Sequence, residues 1–255
     1  MIYQNVSLER LGMIATLTIT QPHSLGTEGM TEMLHAVQEI EQERTIRALI
    51  VTGAGEEALL ADVAGLVHLK PPEALDFSEL GQRLCNTLEA LPIPTIAAVD
   101  GLALGGGCEI VMSCDLTYAS SRAHFGQIEV GGGIIPGFGG TWRLARRVGT
   151  QRARELIFTG EIIDAERARE LGLVLEVIAG EQLFSHCQEV AQKITAKAPL
   201  AVSQAKKMIV ASADLPLAAA NNLERQAFAI LFGTSDQKEG MTAFLEKRSP
   251  QFQGH

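Results

Sequence analysis

The sequence predicts an α/β core followed by a helical tail, on three observations. Between Met13 and Gly53 an alternating segment, an amphipathic segment and a short apolar run follow one another. A second apolar run, Thr95 to Val99, opens into a tract that holds eleven of the chain's 25 glycines between Gly101 and Gly140. Beyond Glu181 only helical patterns remain.

Met13, Ala15, Leu17 and Ile19 fall on one face of an alternating segment that ends at Thr20, the pattern of a half-buried strand. Met30, Met33, Leu34, Val37 and Ile40 recur at helical spacing and predict an amphipathic helix ending near Glu43. Ala48 to Thr52 is a buried strand closed by Gly53. Strand, helix and strand in that order imply a right-handed crossover in a parallel sheet. The stretch from Glu56 to Pro72 is irregular and is read as ending at Pro71-Pro72; a helix from about Leu75 to Leu91 follows, with Pro92 and Pro94 as stops. Next come a strand over Thr95–Val99, a helix over Gly106–Ser113, and strands over Leu116–Ala119 and Ala123–Phe125. Asp164 is suited to cap a helix over Ala165–Leu171, and Gly172 to stop it. Leu173–Ile178 is a strand candidate. The tail helices break near Pro199 and between Asp214 and Pro216, and Thr234 with Gln237 resembles a capping box opening a last helix to about Lys247. A length of 255 residues suits one large domain or one domain with a small appendage.

A formal charge of −9 excludes a general nucleic-acid-binding face. Arg143, Arg146 and Arg147, and the pair Lys206-Lys207, are read as solvated helix faces, with contact to a phosphate-bearing small ligand as the alternative. None of the four cysteines forms a C-x-x-C pair, so free and mostly buried thiols in a reducing compartment are expected. The N-terminus lacks a signal-peptide layout, and no apolar run is long enough to span a bilayer. A soluble cytoplasmic protein is therefore expected, without nucleic acid or membrane as partner. The six histidines show no ligand spacing, so no metal is implied.

The chemistry concentrates around the glycines. A strand enters, Gly105-Gly106-Gly107 strips side chains from a turn, and a helix begins. Bare N–H groups at a helix N-terminus can hold a developing oxyanion. Glu109 lies three residues after Gly106, on the same helix side, and Glu129 comes from a separate loop after Gly126. Two carboxylates beside such a hole could move protons to and from a substrate. Each has a plainer alternative, a surface helix charge for Glu109 and a loop carboxylate for Glu129. The absence of G-x-x-x-x-G-K-[ST] argues against a phosphate loop.

The ordered segments Ala103-Leu104-Gly105-Gly106-Gly107-Cys108-Glu109, Cys114-Asp115, Phe125-Gly126-Gln127-Ile128-Glu129 and Ile135-Pro136-Gly137-Phe138-Gly139-Gly140-Thr141 resemble the crotonase superfamily, the enoyl-CoA hydratase/isomerase family. The likeness continues through Thr159-Gly160-Glu161 and Ala168 to Val174, returns at Glu239 to Arg248, and is looser before Leu91. It implies a spiral of ββα units over residues 1–195, with a helical trimerisation region over 196–255. It also implies a homotrimer or a homohexamer built as a pair of trimers, and an acyl-CoA substrate with no separate cofactor.

By that resemblance, Gly106 N–H binds the thioester oxygen and Ala61 supplies the second oxyanion donor. Glu109 helps activate a water towards the β-carbon, and Glu129 protonates the α-carbon, as in family members that hydrate a trans-2-enoyl-CoA to a 3-hydroxyacyl-CoA. Leu59, Asp62, Val63, Phe228 and Lys247 match positions near coenzyme A, the last two often reaching a neighbouring subunit. For Phe228 the alternative is a core phenylalanine, and for Lys247 a solvated terminal lysine. The chain departs from the family pattern in three places. Leu60 replaces a glycine, Ala64 falls near an expected lysine, and Gln21-Pro22-His23-Ser24 lacks a usual basic contact. These departures imply a weaker or shifted grip on coenzyme A. The irregular Gly65–Pro72 stretch and Gly131–Phe138 are expected to line the acyl pocket, while Trp142 is expected in the core and His124 in a strand. The alternatives to a hydratase are another acyl-CoA isomerase or lyase of this fold, or a non-catalytic subunit of it.

Overall fold

The alternation near the N-terminus becomes a hairpin. β1 (Val6–Leu11) and β2 (Ile14–Ile19) pair antiparallel around Gly12, whose φ is +61°. Residues 3–20, 25–55, 59 and 63–255 are described by a computed structural model, with the side chains of 63 and 64 left aside. Helix α1 (Thr27–Gln42) carries the chain across to β3 (Ala48–Gly53), which lies parallel to β2 as the crossover predicts.

A short helix α2 (Val63–Leu66) precedes α3 (Pro71–Ala90). Here the sequence reading needs correction, because Pro71 and Pro72 begin the helix instead of ending the stretch before it. Proline suits the first helical turn, where its missing N–H would have had no intrahelical acceptor. Glu73 also accepts from Lys70 N at 2.8 Å, closing the turn.

Next come β4 (Thr95–Val99), β5 (Leu102–Leu104), α4 (Gly106–Ser113), β6 (Leu116–Ser120) and β7 (His124–Gly126). A 3₁₀ turn (Glu129–Gly132) leads to α5 (Gly140–Val148), α6 (Thr150–Thr159), β8 (Ile163–Asp164), α7 (Ala165–Glu170) and β9 (Glu176–Ile178). Asp164 caps α7 by accepting from Arg167 N, as expected. The tail consists of α8 (Gly180–Thr195), α9 (Pro199–Ser212), α10 (Leu217–Leu231) and α11 (Ser235–Glu246). The hydroxyl of Thr234 accepts from Gln237 N at the start of α11.

The main sheet runs β1-β2-β3-β4-β6-β9, parallel from β2 onwards. A small sheet, β5-β7-β8, stands beside it, and Leu59 adds a parallel bridge to Ala103 at its edge. Strand alternation sorts the core onto two faces. Leu49, Val51, Ala97 and Val99 face the large core shared with α1, α3 and α4. Ala48, Ile50, Ile96 and Ala98 face Leu183, Cys187 and Ala191 of α8. Each fully buried leucine or isoleucine contributes roughly 1.5–3 kcal/mol, so both faces hold the sheet.

The tail is tied to the sheet through a charge. Lys206 of α9 is buried; its Nζ lies 2.7 Å from Asp115 Oδ2 and donates to Ile93 O at 3.0 Å. The same Asp115 oxygen accepts from Thr95 N and Thr95 Oγ1. Lys206 is thus not the solvated lysine its sequence context suggested.

Candidate active site

Helix α4 is short and wholly buried, which the sequence reports only through its glycines. The carbonyl of Leu59 runs so close to Gly107 that any Cβ there would overlap it, and the same carbonyl accepts from Leu104 N at 3.3 Å. The glycine therefore lets the Leu59 backbone lie against the start of α4. Helical geometry leaves the first N–H groups of α4, that of Gly106 among them, without intrahelical acceptors, and the helix dipole favours negative charge there.

Glu109 sits one turn into α4 with only 1% of its surface exposed. Its Oε1 accepts from Phe138 N at 2.7 Å and from Gly140 N at 2.6 Å. Burial pushes its carboxyl above the ordinary carboxylate range, while those amides and the Arg143 guanidinium pull the other way. A Cβ on Gly140 would strike Gln127 Oε1 and lie 2.8 Å from Glu109 Oε1, so a side chain there would have to displace one of these buried groups.

Glu129 opens the 3₁₀ turn on the facing side. Both of its carboxylate oxygens are buried and neither accepts a hydrogen bond from the protein. Its Oε1 lies 3.1 Å from the point a Cβ on Gly105 would occupy, which puts the carboxyl tip at the entrance to α4. Burial raises its pKa to about 7; the nearby amide of its own backbone, not in hydrogen-bond geometry, pulls the other way, and the charge of Glu109 adds a smaller upward push. The structure thus brings Glu109, Glu129 and the Gly105–Gly106 entrance into one place.

Two residues of this neighbourhood received no role from the sequence. Gln127 is buried and donates from Nε2 to Gly105 O at 3.0 Å. Its position two residues before Glu129 was the available signal. Arg143, read as a solvated arginine, is only 5% exposed and pairs with Glu89 at 2.9 Å. Two of its partners, Asn86 and Glu89, come from α3, far away in sequence, so no local pattern reveals its burial.

The remaining candidates divide. The Leu59 side chain is part of the large core. Ala61 and Asp62 lie outside the described residues, as do Leu60 and His23, and of Val63 only the backbone is described, at the start of α2. Phe228, on α10, is 63% exposed with its ring 5.0 Å from that of Phe232, which corrects the core alternative. Lys247 caps the end of α11 with φ +58° and is solvent-facing. Neither is joined to the glutamate pair by a hydrogen bond, ion pair or ring contact among the described residues. Trp142 is another correction: it is 45% exposed, with the Arg146 guanidinium 4.4 Å above its ring. His124 lies in β7 as expected.

Among the described residues no cluster of His, Cys, Asp and Glu could hold a metal ion, and no helix is long and apolar enough to cross a membrane.

The family model described as enoyl-CoA hydratase/isomerase matches residues 9–255. The chain is 45% identical over 249 residues to the short-chain-enoyl-CoA hydratase of Clostridium acetobutylicum, covering 96% of this chain and 95% of that one. It is 42% identical over 257 residues to the crotonyl-CoA hydratase of Syntrophomonas wolfei, covering 99% of each. The crystal structure of enoyl-CoA hydratase from Bacillus anthracis superposes with a TM-score of 0.93 at 34% identity, over 99% of this chain and 100% of that one.

Proposed function

This chain belongs to the enoyl-CoA hydratase/isomerase family, and we propose that it is an enoyl-CoA hydratase, a hydro-lyase that adds water reversibly to a trans-2-enoyl-CoA to give the 3-hydroxyacyl-CoA. The observation that carries this reading is the pair of buried carboxyl groups in unlike surroundings. Glu109 has two backbone donors on one oxygen, which favour its ionised form. Glu129 has none, and its pKa of about 7 keeps a protonated fraction at neutral pH. Environments that separate two carboxyl groups in this way assign one as base and the other as acid.

In the hydration direction the thioester oxygen accepts from Gly106 N–H. Water attacks the β-carbon as Glu109 takes its proton, and the negative charge passes to the thioester oxygen as an enolate. The amide of Gly106 stabilises that charge where it develops. Glu129 then delivers its proton to the α-carbon. One hydroxyl and one hydrogen are added, and a proton returns from Glu109 to Glu129 through solvent. Ala61 is the second oxyanion donor in this reading; support comes from Leu59, two residues earlier, anchored beside Gly107.

Coenzyme A enters as the carrier half of the substrate, and no cofactor is needed. Relatives named for short-chain and crotonyl substrates support a short acyl group. Residues 1–195 form the catalytic core in this proposal, and 196–255 the assembly region of a homotrimer or a pair of trimers. Exposed Ile209, Leu217, Phe228, Ile230, Phe244 and Leu245 support that assignment. Asp62 and Val63, with Phe228 and Lys247 from a neighbouring subunit, contact the coenzyme A portion. Four free, buried cysteines support a reducing, cytoplasmic setting.

Loss of the conjugated enoyl-thioester absorbance with crotonyl-CoA and a series of longer enoyl-CoAs tests the proposal. Hydration that is fastest with the short members is expected. A series in which no member is hydrated overturns it.

A further inference from the structure

We propose that Arg143 is a positioning residue for Glu109, acting through the turn Phe138-Gly139-Gly140. This inference rests on the role given to Glu109 above. Helix α5 places the guanidinium inside the protein, 5% exposed, where an unpaired charge would be costly. Its Nη1 donates to Phe138 O at 2.8 Å. Its Nη2 donates to Asn86 Oδ1 at 2.7 Å and to Glu89 Oε2 at 2.9 Å, both on α3. The carbonyl that Arg143 holds lies between the two amides, Phe138 N–H and Gly140 N–H, that hold Glu109 Oε1.

One side chain therefore fixes the outer side of a turn whose inner side fixes the carboxylate. The turn is shaped for it. Gly139 has φ +101°, and a Cβ there would overlap Arg143 Nη1. The planar fork matters as well as the charge, because two nitrogens serve two elements at once. Four residues on, Arg147 Nη2 donates to Met112 O at 3.0 Å and to Cys114 O at the far end of α4. Helix α5 thus braces α4 at the turn holding its glutamate and again at its C-terminus.

The charge adds to the geometry. Arg143 opposes the upward push of burial on the Glu109 carboxyl. The titratable and charged groups around Glu109 are Arg143 on α5, Glu129 on the 3₁₀ turn, and the buried thiols of Cys85 on α3 and Cys108 on α4. Removing the cation raises the Glu109 pKa further, so a smaller fraction is ionised at a given pH. The acidic limb of kcat/KM then moves to higher pH.

The test compares R143Q, R143K and E89Q with wild type, in crotonyl-CoA hydration across pH and in infrared titration of the Glu109 carboxyl, identified by its loss in E109Q. R143Q is expected to lose roughly 10²-fold in kcat, the scale of a small misplacement, with the acidic limb and the infrared midpoint both shifted upward. R143K restores the midpoint in part but not kcat. E89Q removes an anion and leaves the Arg143 cation less compensated, so it moves the midpoint and the acidic limb slightly downward, opposite to R143Q, with a smaller loss of kcat. If R143Q does not fold, R143K and E89Q carry the test. Folded variants with wild-type kcat and an unmoved midpoint overturn the proposal. A wild type that hydrates no enoyl-CoA ends the functional reading instead, while the infrared midpoints still decide the role of Arg143.

Discussion

The wall that carries Glu109 and the wall that carries Glu129 are built on different principles. Glu109 stands inside a helix with no exposed residue, and a turn from another element donates two amides to one of its oxygens. Glu129 opens a single 3₁₀ turn that ends in glycines, and a Cβ added at Gly131, Gly132 or Gly133 would meet nothing within 4 Å. The first wall is closed and donor-rich. The second is open on one side, and its carboxyl is buried without a donor. One residue type therefore receives two chemical characters, and the surrounding donors decide which.

If that contrast is functional, replacing either carboxyl costs the most. E109Q and E129Q are each expected to lower kcat for hydration by roughly 10²–10⁴-fold, the usual scale for a positioned acid or base. Steady-state assays on folded variants check this. A variant at either position that retains wild-type turnover removes that residue from the mechanism.

Crowding the closed wall should come next. In G140A the new methyl meets Gln127 and Glu109 directly. Roughly 10²-fold loss of kcat is expected from displacement of the carboxylate. A stability cost of about 1–3 kcal/mol, typical of overpacking, accompanies it in denaturant titration.

A smaller effect lies in stability against pH. The folded Glu129 carboxyl has its pKa raised from 4.5 to about 7, so the folded state binds the proton more tightly than the unfolded one. Stability contributed by the protonated form is complete below the unfolded value and is lost as pH rises towards 7. E129Q keeps a neutral group at all pH values. It should melt at a higher temperature than wild type at pH 8, and the gap should close near pH 4. For a chain of this size about 1 kcal/mol corresponds to roughly 2–4 °C. A gap that is absent at pH 8, or that widens towards acid, contradicts the assignment.

The smallest effect is expected on the open wall. Gly132 has room for a methyl group and no positive φ. G132A should therefore stay within about 0.5 kcal/mol of wild type in stability. A large loss of activity there would mean that the substrate approaches that backbone closely.

Much of this protein was legible before its structure. The limits of α4 could be read from Gly106 and Ser113, because glycines and the following acidic turn punctuate the chain locally. Asp164 and Thr234 announced their helices, since a cap needs only a side chain and an amide three residues on. The crossover from β2 to β3 followed from the order of periodicities. Except at Trp142, the reading failed where the deciding contacts were distant in sequence. Pro71 and Pro72 can stop one segment or start the next, and the choice depends on where α3 docks. Trp142 looked like core, yet Arg146 of its own helix covers it at the surface. Arg143 and Lys206 looked solvated, but Glu89 and Asp115 meet them inside the fold.

Sequence alone thus determined the strand–helix–strand crossover, several helix starts, the family, and which two carboxyl groups flank the glycines, because periodicity, caps and turns are properties of neighbours along the chain. Only the tertiary structure decided what those carboxyl groups are. Their protonation depends on amides from residues 138 and 140, on a cation braced against α3, and on one another's charge. Those distances are set by packing between elements, and no local pattern records them.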